Sequence, residues 1–365
     1  YLLQLAQLVP SINNVETYAR IVRDKYDVRT LILTAREIVE EASEGGADAA
    51  TLLDSAEQRI FDIRRGKNMQ GLQRLNEVIV QTFDRLDLLN SPDSDLYRGV
   101  PTGIKELDDT ITGLNKTDFI LLGARPGMGK TSFALNIARH AAVKAGRTVA
   151  FFSLEMGKEQ LCSRLLSTEA LVGGTKLRTG KLENDEWVRL IEAGDILSRA
   201  NIYLDDTPSI TVPEIKAKLR RLKEVDLVII DYLQLMTGAS RRSEGNRVQE
   251  ISEITRGLKI MAKELNIPVL TLSQLARDSE KRTNHRPVLS DLRDSGSIEQ
   301  DADIVLFLYR EDYYSAENEP GQETDRNSGE CIVAKNRHGE AKTVPLHWQG
   351  EFMRFTAQEV VHHAP

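Results

Sequence analysis

The stretch from Thr117 to Asn136 constrains the fold more than any other. Phe119 to Leu122 is an unbroken apolar run, which reads as a buried strand. A tight loop with Gly and Pro follows, from Gly123 to Gly129, then Lys130-Thr131, then a helical run from Ser132 to Lys144. Strand, glycine loop, Lys-Thr and helix is an arrangement that holds a nucleoside triphosphate. Backbone N–H groups line a concavity for the phosphates, and the helix N-terminus adds positive potential. The candidate binding residues are Ala124, Arg125, Pro126, Gly127, Met128, Gly129, Lys130, Thr131 and Ser132. Lys130 is long enough for the β- and γ-phosphates, and the Thr131 hydroxyl is a hard oxygen suited to Mg²⁺. One position departs from the pattern: Ala124 stands where the first glycine is expected, with Gly123 one step earlier.

At 365 residues the chain exceeds one ordinary domain, and 41% apolar residues suffice for a large core. The net charge of −7 and pI near 5.6 exclude a generally basic nucleic-acid binder. Contact with nucleic acid would need a local basic patch, such as a pore lining. Cys162 and Cys331 lie far apart, and no Cys/His spacing suggests zinc. That usage fits a reducing, cytoplasmic setting. Neither a signal peptide nor a bilayer-length apolar run is visible. The chain starts at Tyr1 inside an apolar pattern, as a fragment would.

Three regions follow from composition. Residues 1–65 read as a partial N-terminal helical domain: a short apolar piece to Val9, Pro10, then helices over Asn14–Glu44 and Asp48–Arg64 around Gly45-Gly46. Residues 66–96 read as linker, carrying one helix over 72–89 whose apolar stripe runs through Leu75, Val78, Ile79, Phe83 and Leu86. That helix must dock on its own domain or on a neighbouring subunit, and linker reach favours the neighbour. Residues 97–365 alternate strands with helices, which predicts an α/β domain with a mostly parallel sheet. The polar stretch from Glu311 to Asn327 reads as a mobile connection, and Glu330 to Phe355 as short strands.

Ligands in such sheets collect at the carboxyl ends of strands. Leu227 to Ile230 delivers Asp231, the carboxylate a Mg²⁺-nucleotide site needs. Phe151-Phe152-Ser153-Leu154 delivers Glu155, placed to take a proton from the water that attacks a γ-phosphate, or else a carboxylate near a helix start. Gln274 follows another apolar strand and could sense the γ-phosphate. The loop after it, 276–297, carries Arg277, Lys281, Arg282, Arg286 and Arg293 against four acids, either gripping a substrate or simply solvated. Lys335 and Arg337 sit two apart before Gly339 and would point the same way. They are either fingers toward an adjacent subunit's γ-phosphate or a surface pair.

Together these segments resemble the DnaB-type replicative DNA helicases. The resemblance is carried by Gly123–Thr131, Phe152–Met156, Asp231-Tyr232-Leu233-Gln234-Leu235-Met236, Ser273-Gln274-Leu275 and Ser290–Asp303. It implies a RecA-like motor from about residue 97, preceded by a helical hairpin and a linker helix that docks on the next subunit. It further implies a homohexameric, ATP- and Mg²⁺-dependent ring that moves 5′→3′ on single-stranded DNA and works with a primase and a loader. By the same resemblance Lys130 holds phosphates and Thr131 and Asp231 the metal, Glu155 is the base, and Gln274 contacts the γ-phosphate. Lys335 and Arg337 act in trans, and Arg293, Asp294 and Gly296 hold DNA. Two positions differ from the family's usual pattern: Asp294, often Glu, and Arg337-His338-Gly339-Glu340, often Arg-Asn-Gly-Pro. A RecA-like recombinase or a ring-forming signalling ATPase would use the same glycine loop, Asp231 and Glu155. A small-molecule kinase would need an acceptor base and a lid, for which no motif is present.

Overall fold

The computed structural model describes residues 15–44, 49–64, 74–91, 98–222, 224–238, 247–276, 282, 285–295, 298–313 and 327–358. These fall into two units, Tyr1–Asp87 and Leu88–Pro365. In the first, α1 (Val15–Glu44) and α2 (Ala49–Arg64) pack as a hairpin. Arg59 donates to Glu41 at 2.6 Å and lies 3.6 Å from Glu37, as two antiparallel helices allow. The expected segments Tyr1–Pro10 and Gly45-Gly46 lie outside the described residues. Next comes α3 (Leu75–Leu89), whose Leu75, Phe83 and Leu86 are exposed.

The first helix wholly inside the second unit is α4 (Lys105–Ile111), a short helix not expected from the sequence. Then come β1 (Phe119–Ala124), α5 (Lys130–Arg139), β2 (Val149–Ser153) and α6 (Lys158–Ala170). They lead to α7 (Gly174–Thr179), α8 (Asn184–Ser198), β3 (Ile202–Asp205), α9 (Val212–Arg221) and β4 (Leu227–Asp231). The chain continues through α10 (Arg247–Leu265), β5 (Val269–Gln274), α11 (Ile298–Asp301) and β6 (Ile304–Tyr309). It closes with β7 (Ser328–Asn336), β8 (Lys342–Gln349) and β9 (Arg354–Ala357). The helix after the glycine loop is α-helical only to Arg139 and becomes a π turn over His140–Lys144.

Among the described residues the nine strands form one sheet in the order β3-β2-β4-β5-β1-β6-β7-β8-β9. The first six are parallel and the last three antiparallel. Burial separates the two halves. β1, β4 and β6 are buried at every position, because helices cover both faces of the parallel part. In β7 and β8 burial alternates, with Cys331, Val333, Val344, Leu346 and Trp348 inward, as in a sheet with one wet face. Full burial pushes the Cys331 thiol up to about 12, which leaves it an unreactive core residue.

Local signals set several helix starts. Thr211 and Glu214 cap α9 reciprocally: Thr211 N–H donates to Glu214 at 2.8 Å, and Glu214 N–H to the Thr211 hydroxyl at 3.4 Å. Tertiary packing decides others. A Cβ on Gly123 would meet Phe307 at 2.8 Å and Leu275 at 2.9 Å, so any larger residue there would force those side chains to shift between β5 and β6. Ala124, where a glycine was expected, is the last residue of β1 and has no positive φ, so its methyl fits.

Among the described residues no helix is long and apolar enough to cross a membrane.

Candidate functional site

The sheet order places the four expected strand ends side by side. β2, β4, β5 and β1 are consecutive and parallel, so Glu155, Asp231, Gln274 and the glycine loop emerge at one edge. Glu155, Gln274 and the loop residues line a cavity of about 370 Å³, and fully buried Asp231 is joined to it through its hydrogen bond with Thr131.

Gly127 and Gly129 shape the phosphate loop with φ of 82° and 93°, a region L side chains avoid. Their missing side chains also make room: a Cβ on Gly127 would meet the Tyr313 ring at 2.8 Å, and one on Gly129 would meet Phe355 at 3.0 Å. Pro126, Lys130, Thr131 and Ser132 line the cavity. Met128 is buried in the core, so it offers the site only its main chain. Arg125 reaches across to donate to the Leu275 carbonyl at 2.8 Å, tying the loop to the end of β5.

Beneath the loop the charges are paired. The Thr131 hydroxyl donates to Asp231 Oδ2 at 2.6 Å. Lys130 Nζ lies 3.9 Å from Asp231 Oδ1 and 4.3 Å from the centre of the Tyr232 ring. Burial lowers the Lys130 pKa, against the pull of Asp231 and Glu155. Asp231 is fully buried, and among the described residues its Oδ1 has no hydrogen-bond donor. A buried carboxylate oxygen left without a donor, beside a hydroxyl at hydrogen-bond distance, suits a hard divalent cation whose other ligands are phosphates and water.

Two contributors went unnoticed in the sequence. Arg164, on α6, lines the cavity; burial lowers its pKa, opposed by Asp231 and Glu155. The β8–β9 end of the chain is the other, reaching the same cavity through Trp348 and Met353. Neither has a motif to betray it. Arg164 is one charge on a helix with other charges, and β8–β9 meets the loop only through the fold, where Asn136 accepts from Phe355 N–H at 2.6 Å.

Lys335 and Arg337 are elsewhere. β7 runs antiparallel to β6, with Asn336 opposite Ile304, and Ile304 is level with Ile120 near the start of β1. Both cations therefore sit at the sheet edge opposite the phosphate loop, on the order of 15 Å away along the strands. Lys335 donates to the Glu299 and Ala302 carbonyls at 2.6 and 2.8 Å, and Arg337 to the Gln300 carbonyl at 2.9 Å. Arg337 also lies 3.4 Å from Asp303. The two do face the same way, onto the end of α11. His338 Nε2, in the departing turn, sits 2.9 Å from Asp118.

Within the loop after β5, the described residues include a 3₁₀ turn over Leu289–Ser295 that the sequence did not predict. Its Arg282 pairs with buried Asp291, and Arg286 pairs with Glu330 on β7. Those two cations are thus structural ties. The backbones of Arg293 and Asp294 belong to the 3₁₀ turn; their side chains, Gly296, Arg277 and Lys281 lie outside the described residues.

A parallel sheet with a phosphate-cradling loop, a buried Asp-Thr pair and a facing Glu defines a RecA-like, ATP-hydrolysing motor domain. Residues 99–357 match the DnaB-like helicase C-terminal domain family, and the chain belongs to that family. It is 46% identical over 362 residues to the replicative DNA helicase DnaB of Geobacillus stearothermophilus, covering 98% of this chain and 78% of that one. The replicative DNA helicase DnaC of Bacillus subtilis (strain 168) is similar to the same extent. A solved DnaB-like replicative helicase, studied with its primase interactions, superposes with a TM-score of 0.74 at 34% identity, covering 98% of this chain and 83% of that one. A second solved structure, of an ATPase domain, gives 0.72 at 37% identity, over 79% of this chain and 100% of that one. These matches identify a replicative-type DNA helicase and set aside the recombinase, signalling and kinase alternatives.

Proposed function

We propose that the chain works as a homohexameric ring that moves 5′→3′ on single-stranded DNA, with each ATP site shared between neighbours. Residues 1–65 would form the helical hairpin domain, 66–96 the linker whose helix docks on the next subunit, and 97–365 the motor. The observation that carries the reading is the separation of cations. Lys130 and Arg164 face the cavity, whereas Lys335 and Arg337 stand at the opposite edge of the sheet, beyond reach of their own phosphate loop. Cations so placed serve a neighbour's γ-phosphate or none.

In this reading the glycine loop and Lys130 cradle the phosphates. Thr131 and Asp231 hold Mg²⁺, which supplies charge neutralisation when bound. Glu155 takes the proton of the attacking water as the bond from the γ-phosphorus to the bridging oxygen breaks, leaving ADP and phosphate. Gln274 contacts the γ-phosphate, and Arg293, Asp294 and Gly296 hold the DNA backbone. The primase named with the solved relative makes a primase a fitting partner, beside a helicase loader, in the cytoplasm.

Mixed rings test the arrangement. Lys130→Ala and Arg337→Ala subunits are each expected to be inactive alone, while a mixture regains ATP hydrolysis because some sites combine two intact halves. A mixture that stays inactive at every ratio refutes the shared site.

A further inference from the structure

The segment after β4 contains a residue that the nucleotide site does not itself use. β4 pairs with β5 only at Val228–Ile230 against Val269–Thr271. Beyond Thr271 the β4 side of β5 has no strand partner among the described residues, yet Ser273 is fully buried. Gln234 fills the gap from the 3₁₀ turn Leu233–Leu235. Its Oε1 accepts from Gln274 N–H at 3.2 Å, and its Nε2 donates to the Gln274 carbonyl at 3.1 Å and to the Ser273 hydroxyl at 3.0 Å. The side-chain amide thus mimics a peptide group and extends the ladder by one residue, at the residue that faces the cavity. On its other side, Gln234 is held from the next helix. Arg247 donates to the Gln234 carbonyl and pairs with Glu250, and Glu250 accepts from Gly238 N–H at 3.0 Å.

We infer that Gln234 is a positioning residue that clamps the main chain of Gln274 and links it mechanically to the start of α10. A displacement of Gln274 on loss of the γ-phosphate then moves Gln234, and through Arg247 the first turn of α10, instead of dissipating in a free strand end. This rests on the γ-phosphate contact proposed for Gln274. Arg125, which donates to the adjacent Leu275 carbonyl, holds the same strand end from the phosphate-loop side, so the end of β5 is gripped from both neighbours.

The test compares Gln234→Met, Gln234→Glu and Gln274→Ala in ATP hydrolysis with and without single-stranded DNA. Gln234→Met keeps the length and removes all three bonds; its DNA-stimulated kcat is expected to fall about tenfold at unchanged KM for ATP. Gln234→Glu keeps the bond from Gln274 N–H and is expected to lose less. Normal stimulation in Gln234→Met, or a KM that worsens in step with kcat, overturns the inference. If Gln234→Met does not fold, Gln234→Glu decides: a several-fold loss of kcat at unchanged KM supports the clamp, and wild-type stimulation refutes it. Full activity of Gln274→Ala would instead remove the γ-phosphate reading of Gln274. An inactive Gln274→Ala beside a normal Gln234→Met would remove the clamp alone.

Discussion

The Thr131 hydroxyl donates to Asp231 at 2.6 Å across 100 residues of sequence. One partner lies in the first turn of the helix after the phosphate loop and the other ends β4, two strands away from β1 in the sheet. The bond satisfies one oxygen of a fully buried carboxylate and leaves the other without a donor among the described residues. The same two groups are the proposed metal ligands, so the pair holds the site in register.

Replacing Thr131 with Val keeps the shape and deletes the donor. A buried carboxylate that loses its hydrogen bond costs on the order of 1–3 kcal/mol. Urea unfolding should show that loss, and the Mg²⁺ concentration for half-maximal hydrolysis should rise. Unchanged values of both would mean the bond does nothing for fold or site.

Glu155 borders the cavity at the end of β2. With Glu155→Gln, kcat should fall roughly 10²- to 10⁴-fold, the range for a lost general base, while nucleotide binding by fluorescence titration persists. A modest loss of kcat would assign the proton to another acceptor.

Gly123→Ala should destabilise the domain by about 1–3 kcal/mol, since its methyl would press into Phe307 and Leu275. Ala124→Gly, one residue on, should cost less than Gly123→Ala because no neighbour must move. Thermal unfolding of the two variants side by side checks the order.

Glu214 accepts from the Thr211 N–H and hydroxyl, and these bonds hold its pKa below the ordinary carboxylate value. A depressed folded pKa means stability present above the unfolded pKa and lost as pH falls through the folded one. The stability difference between wild type and Glu214→Gln should therefore be largest near neutrality and shrink in acid. Urea titrations at a series of pH values from neutrality into acid measure it; a difference that grows as pH falls would mean that these bonds do not favour the ionised Glu214.

Arg293→Ala should weaken single-stranded DNA binding and flatten its dependence on salt by about one counterion's share. Fluorescence anisotropy across a salt series reads both. Identical slopes would move the DNA contact away from Arg293.

The sequence by itself determined the pieces. Apolar runs marked β1, β4 and β6 because a parallel strand covered on both faces has no polar side to show. Gly127, Gly129, Lys130 and Thr131 stand out in the sequence because a loop that presents backbone N–H groups to phosphate, the role proposed for this one, needs glycines at fixed spacing. Only the tertiary structure decided what those pieces meet. Strand order is a long-range property, and it brought Glu155, Asp231, Gln274 and the loop to one edge while sending Lys335 and Arg337 to the other. Arg164, Trp348 and the Gln234 clamp have no local signature, because each acts through a neighbour distant in sequence. The same holds for glycine in β1: spacing pointed to position 124, but the close approach of Phe307 and Leu275 favours it at 123.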